Sequence, residues 1–411
     1  MIKRVLLMAL IPLLLLTSSP VSADDGIAVL DSSVEVQFPI ALVFNLEVES
    51  DADIIDVRLH YEVDRMNYTR VISEGWPDFA PASRVETSWT WDMRKSSLPP
   101  GAAITYWWTV KDAEEREGST VPATVQFDDL RYSWQSLTEG ELTIFWYEED
   151  NTFAQELMDA CQQGLVRLTG SVGVYDEKPI RIYVYTSASD LQGAMIFPQE
   201  WTGGVAFTEF GIIAIGISSD NIDWGKEALV HELTHLVVHQ ATFSPYGSLP
   251  TWLDEGLAMC NQGELTPSLR ARLEGAVSEN RLISVRSLCS PFSAEPEKAY
   301  LSYAESYSLV EFLLANYGQD KMLNLLTLFR DGSTYDEALT EVYGFNIDGL
   351  DAIWRETLAV SSAVFVSEGE QSHPALFAVL SSMATLLKLP GTLHWEGWEW
   401  GRLCNGAMNW F

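Results

Sequence analysis

Two short stretches hold the residues best placed to do chemistry. The first is "HELTH", His231 to His235. Residues i and i+4 share one face of a helix, so the imidazoles of His231 and His235 can grip a single zinc ion, Zn2+. Glu232 then lies beside the open coordination position, where a carboxylate can take a proton from a water held by the ion. Zinc draws the pKa of such a water toward neutrality, so a weak base suffices. The preceding "WGKEALV" is helical and apolar in the right places. The plainer reading of a lone HExxH is a buried helix with satisfied histidines.

A catalytic zinc takes a third protein ligand, and the next dense acidic stretch is "WLDEGLA", Trp252 to Ala258. Nineteen residues, 236–254, separate His235 from Glu255. The loop "ATFSPYGSLP" lets the chain turn back and pack a second helix on the first. A helical wheel does not choose between Asp254 and Glu255. Helix-start chemistry points further: "TWLD" after Pro250 fits a capping box, with Thr251 as N-cap and Asp254 reaching back to the N-cap amide. That leaves Glu255 for the metal. His239 is one turn beyond His235. The metzincin pattern needs Gly at 238 and His at 241, but Val238 and Ala241 stand there. His239 is therefore expected either behind the ligands or in solvent, not among them.

HELTH followed by "PTWLDEGLA" resembles the gluzincins, specifically the peptidase MA-like metallohydrolases. It is also similar to the gluzincin aminopeptidases, whose third ligand sits in W-x-x-E-G-x-A. The downstream "AYLSYAESYSLVEFLLANYG" and "GSTYDEALTEVYGFNIDGLDAIWRETL" resemble that family's helical tail, so the likeness runs from about Leu130 to Leu358. It implies metal ligands His231, His235 and Glu255, Glu232 as general base, Zn2+ as cofactor, and peptide or protein substrates. In the similar aminopeptidases a tyrosine steadies the oxyanion, and "YAESYSLVEF" matches with Tyr303, with Tyr300 and Tyr307 as competitors on the same stripe. "WTGGVAFTEFGIIAIGI" corresponds to an edge strand that pairs with extended substrate, through Gly203, Gly204, Val205 and Ala206. The aminopeptidases carry a glutamate there that reads the substrate amine. "GGVAF" has none, and Glu209 lies further on, which favours an endopeptidase.

The surrounding pattern supplies the scaffold. Residues 1–23 read as a secretory signal peptide: Lys3 and Arg4, an apolar run from Val5 to Leu16, then "VSA" before Asp24. Cleavage near Ala23 places the protein outside the cytoplasm, either secreted or at the cell surface or in the periplasm. Residues 24–129 alternate apolar and polar, as in "IDVRLHYEV", and predict an antiparallel β-sandwich of immunoglobulin or fibronectin type III style. Residues 130–360 change to strands followed by helices, with helical spacing over 226–240, 252–262, 298–317, 321–329, 335–343 and 348–357. The expected fold is an α+β gluzincin-type domain, a small sheet plus a helical subdomain. Residues 361–411 form a tail of no assigned role; membrane association through it has no support beyond its apolar, Trp-rich texture.

The formal charge is −33, from 25 basic and 58 acidic residues. Such a surface repels nucleic acid and anionic membranes. Of Cys161, Cys260, Cys289 and Cys404, the pair Cys260–Cys289 is the best placed for a disulfide after export. A competing functional reading is a catalytically silent zinc-binding protein that recognises a surface or cell-wall partner. Glu232 speaks against it, because a purely structural site needs no base.

Overall fold

The structure is a computed structural model that describes residues 26–66, 69–174, 178–197 and 203–368. The expected signal peptide, Cys404 and nearly all of the tail lie outside these residues. The chain divides into two compact units, Met1–Asp64 with Thr69–Asp128, and Arg65–Tyr68 with Asp129–Phe411. Among the described residues, no helix is long and apolar enough to cross a membrane.

The first unit is all β. Its strands are β1 (Ile27–Gln37), β2 (Ala41–Val63), β3 (Ser73–Gly75), β4 (Ala82–Asp92), β5 (Ala102–Asp112), β6 (Glu117–Ser119) and β7 (Ala123–Phe127). Alternation sets the buried face: Leu42, Phe44, Leu46 and Val48, then Val57 and Leu59. In place of two separate sheets, hydrogen bonds join all seven strands into one antiparallel sheet. The reason is the 23-residue β2. Its first part pairs with β1 and β4; after a register break between Glu49 and Ile54, its second part pairs with β5 and β3.

The second unit begins with β8 (Gln135–Glu139) and β9 (Leu142–Trp146), then α1 (Asn151–Val172), β10 (Ile180–Tyr185), α2 (Ala188–Gln192), β11 (Gly204–Phe207) and β12 (Ile212–Gly216). The sheet order is β11-β12-β10-β9-β8, so β11 is an edge strand. β10 runs parallel to both β9 and β12, while the outer pairs are antiparallel. The crossover α1 starts where the Asp150 side chain accepts from the backbone N–H groups of Thr152 and Phe153, and stops at Gly173 in the left-handed region, φ 78.

Among the described residues seven helices follow: α3 (Ile222–Thr242), α4 (Thr251–Gln262), α5 (Pro267–Ser278), α6 (Pro296–Tyr317), α7 (Gln319–Arg330), α8 (Tyr335–Tyr343) and α9 (Ile347–Glu368). α9 continues beyond the expected boundary at 360. α5 adds to the expected helices: Thr266 caps it and Pro267 opens it. The two central helices are nearly submerged. Every residue from Ala228 to Val238 and from Thr251 to Met259 is buried, and Trp252 is fully enclosed. Burying a side chain of that size is worth roughly 1.5–3 kcal/mol or more.

Close approach of α4 to α6 depends on Gly256. A Cβ there would stand 2.4 Å from the Ser306 carbonyl oxygen and 2.6 Å from Val310 Cγ2. The first neighbour is backbone and cannot swing aside. Further along α6, Glu305 is fully buried. Its Oε1 accepts the Ile283 N–H at 3.0 Å. Arg355 Nη2 donates to the Ile283 carbonyl at 2.7 Å, its Nε donates to Asp351 at 2.8 Å, and Asp351 accepts the Val285 N–H at 2.9 Å. These bonds pin residues 282–285 to α6 and α9.

The cysteines do not pair as expected: Cys161, Cys260 and Cys289 are free. Cys289 lies against Trp252, whereas Cys260 is eight residues further along α4, where its thiol faces the Tyr307 carbonyl. Eight helical residues span about 12 Å, beyond the reach of a disulfide.

Two stability measurements follow from this packing. Gly256→Ala should cost about 1–3 kcal/mol in chemical denaturation through overpacking; a wild-type midpoint would show that α4 and α6 can part freely. Burial pushes the Glu305 carboxyl from 4.5 up to about 8. The folded state thus holds this proton more tightly than the unfolded chain does. Its contribution is full below about pH 4.5 and is lost as pH rises through about 8. Glu305→Gln should therefore match wild type near pH 4.5 and be more stable at pH 9, by a few kcal/mol. An offset independent of pH would mean that the carboxyl titrates normally.

Candidate metal centre

α3 carries HELTH and α4 carries WLDEGLA, and the two helices pack against each other. Asn261 at the end of α4 donates to Thr234 Oγ1 at 2.8 Å, and Thr234 bonds back to the Val230 carbonyl, which fixes how the helices meet. Three donor atoms converge between them. His231 Nε2 and His235 Nε2 are 3.1 Å apart, and Glu255 Oε2 is 3.3 Å from the first and 3.4 Å from the second. All three residues are buried.

The hydrogen bonds behind these atoms set their character. His235 Nδ1 lies 3.0 Å from Asp254 Oδ1, and His231 Nδ1 lies 3.1 Å from Gln262 Oε1. Both partners are acceptors, so each ring places a proton on Nδ1, and a metal would be ligated through each Nε2. Gln262 also bonds the Glu227 side chain, which agrees with its oxygen facing His231. Two imidazole Nε2 atoms and a carboxylate oxygen therefore meet at one spot. Glu255 Oε2 is buried, and the two rings are the groups that face it. A cation bound there would take the place of the imidazole protons. Tetrahedral coordination with bonds of 2.0–2.1 Å separates ligands by about 3.3 Å, and the observed triangle has edges of 3.1–3.4 Å. The residues fit a small divalent metal with nitrogen and oxygen ligands.

Electrostatics agree. Burial alone would lower the His235 pKa, but Asp254 and Glu255 outweigh it and raise it well above the ordinary value. Burial likewise works against ionised Asp254 and Glu255, yet the histidines hold both carboxyls below their usual range. The cluster favours positive charge at its centre.

Asp254 corrects the sequence reading. The N-cap of α4 is Pro250, and no side chain caps it. Asp254 spends its oxygens on His235 and, at 2.9 Å, on His239 Nε2. A local cap is worth about 1 kcal/mol at an exposed helix end. A carboxylate buried beside two imidazoles gains more from charge-assisted bonds. Gln262 was missed altogether, because a glutamine at a helix end carries no signal of its own.

Glu232 lies between α3 and the edge strand. A Cβ on Gly204 would come within 3.1 Å of its Oε1, and the Ala206 backbone N–H bonds it. Burial raises its pKa, Glu255 adds to this, and His235 and His231 oppose it. Gly203, Gly204, Val205 and Ala206 are themselves buried, with α3 packed on β11. Tyr303 is buried on α6, its ring edge-on to Phe292 at 5.1 Å. Tyr300 packs under Arg272, and Tyr307 meets Glu311.

Residues 160–360 match the family model of the peptidase MA superfamily. No curated protein matches the chain. Among solved structures, an aminopeptidase N family protein from Idiomarina loihiensis is 10% identical, with a TM-score of 0.26, over 82% of this chain and 73% of that one. A β-glucuronidase from Parabacteroides merdae is 7% identical, with a TM-score of 0.18, over 52% of this chain and 33% of that one. A family 76 glycoside hydrolase from a bovine Bacteroides thetaiotaomicron strain is 10% identical, with a TM-score of 0.16, over 81% of this chain and 63% of that one. The chain thus spans a third of the length of the glucuronidase. Likenesses this slight carry no argument about fold or activity.

The geometry separates the two adjacent acids of α4 by experiment. Glu255→Ala should abolish stoichiometric metal binding after dialysis. Asp254→Ala should retain the site but weaken its affinity for Zn2+ by about 10–100-fold in chelator competition. Wild-type affinity in the Asp254 variant, together with a loss confined to thermal stability, would restore the capping role.

Proposed function

From a peptidase MA superfamily domain over residues 160–360, we propose that the protein is a zinc-dependent metallopeptidase that works outside the cytoplasm and cuts within peptide chains. The observation that carries this reading is the convergence of His231 Nε2, His235 Nε2 and Glu255 Oε2, with the Glu232 carboxylate one residue away on the same helix. When bound, a zinc ion supplies a Lewis acid and acidifies water at its open position.

The remaining work falls to the chain's own residues. Glu232, buried and with a raised pKa, takes a proton from the attacking water and delivers it to the departing amine nitrogen. Asp254 and Gln262 face the two Nδ1 atoms, which orients each ring to ligate the ion through Nε2. Tyr303 serves as the oxyanion donor, a role that rests on its match to the aminopeptidase pattern. The edge strand β11 aligns an extended substrate by main-chain pairing, with Gly203 to Ala206 as its contact stretch. The absence of a carboxylate from Gly203 to Phe207 supports an endopeptidase, because nothing there reads a free amino terminus. The signal-peptide pattern supports export, and the β-rich first unit suits a sandwich-like module that brings the catalytic unit to its substrate.

The test is Glu232→Gln in purified protein, assayed against a broad peptide library with cleavage sites mapped by mass spectrometry. Turnover should fall by about 10²–10⁴-fold while the zinc content stays at one per chain. Full turnover in this variant would remove Glu232 from the base role. Cleavage only at free amino termini would make the protein an aminopeptidase.

A further inference from the structure

We infer that His239 is a positioning residue that locks the ligand His235 through Asp254, so that the metal centre is braced by a histidine it never touches. The inference rests on the proposed metal site, and it concerns what holds that site ready.

The observations form one chain of contacts. Asp254 is buried, and its carboxylate faces two imidazoles at once: Oδ1 lies 3.0 Å from His235 Nδ1 and Oδ2 lies 2.9 Å from His239 Nε2. Ligation through His235 Nε2 requires the proton to sit on Nδ1, and only an acceptor kept in front of Nδ1 ensures that. Asp254 is that acceptor, but a carboxylate has a broad, nearly two-fold torsion and can turn about its Cβ–Cγ bond. The His239 N–H fixes the other oxygen, so the carboxylate plane is held from both sides. Without His239, Oδ2 would be a buried charged acceptor with no side-chain donor in place, at a cost of about 1–3 kcal/mol or more. Turning toward another donor would relieve that cost and would pull Oδ1 away from His235.

His239 is well placed for this task. It lies one turn after His235 on α3, with its ring centroid 6.4 Å from that of His235. Its side chain is 33% exposed, whereas those of His235 and Asp254 are 6% and 5% exposed. The brace thus runs from the solvent edge of α3, across α4, and back to a ligand. His235, His239 and Asp254 also lie close enough together to hold an ion of their own. Direct hydrogen bonds of 2.9 and 3.0 Å already satisfy these atoms, so no second ion is needed.

The test uses the full-length protein and Zn2+ alone, and it needs no substrate. His239→Ala should fold with an unchanged circular dichroism spectrum but bind Zn2+ about 10-fold or more weakly in chelator competition. His239→Gln places an amide N–H near the lost Nε2–H and should recover most of that affinity. In the metal-free protein, ¹⁵N–¹H spectra should show a His235 Nδ1–H protected from exchange with water in wild type and in His239→Gln, and exchanging rapidly in His239→Ala. Wild-type affinity and an equally protected His235 Nδ1–H in His239→Ala would overturn the inference. So would a His239→Gln variant no better than His239→Ala. Failure of the wild type itself to bind Zn2+ would sink the metallopeptidase reading instead, and the exchange of the Nδ1–H would still decide the role of His239.

Discussion

The centre of the second unit depends on a buried cluster of imidazoles and carboxylates that hold one another. His231 and His235 turn their Nδ1 atoms outward, one to Gln262 and one to Asp254. Their Nε2 atoms face Glu255 Oε2 at 3.3 and 3.4 Å. The opposite charges raise the pKa of His235 and lower those of Asp254 and Glu255 against the opposing pull of burial. A divalent cation would take the place of the imidazole protons, which couples its affinity to pH and to the stability of the fold.

The scaffold holds that cluster in place. α3 and α4 are buried over most of their length and cross-bonded through Asn261 and Thr234. Glycine permits two close approaches around the site. Gly256 brings α4 onto α6 directly after Glu255, and Gly204 lets the edge strand lie against Glu232. In both places backbone or carboxylate occupies the room that a methyl group would need. The Glu232 carboxylate is thereby held between a helix and a strand.

Much of this was legible in the sequence, and the parts that were not share a cause. His231 and His235 are four residues apart, and helical periodicity alone puts them on one face. Glu255 followed once a second helix had to return against the first. Asp254 was misread because "TWLD" spells a capping box in local terms, while its true partners, His235 and His239, are brought to it only by tertiary packing. Gln262 was invisible for the same reason: its role is defined by a ring 31 residues earlier in the chain. Cys260 and Cys289 looked near in sequence, but α4 keeps them at opposite ends. In the first unit, alternation gave the strands and their buried face. It could not say that a single long strand would bridge what was expected to be two layers.

α4 behaves as a ruler. Asp254, Glu255 and Gln262 are graduations on one rigid rod, and each helical residue turns the rod by about 100°. One residue inserted between Glu255 and Gln262 would swing the partner of His231 to another side of the helix while leaving Glu255 in place. The connection between the two helices carries no such scale. Residues 245–248 are exposed and need only return the chain, and doubling a loop's length costs merely about 0.6 kcal/mol. Length is thus locked within the helices and free between them. A chain built on this plan can vary the number of residues separating its histidine pair from the glutamate of the second helix, and still close the same triangle of side chains.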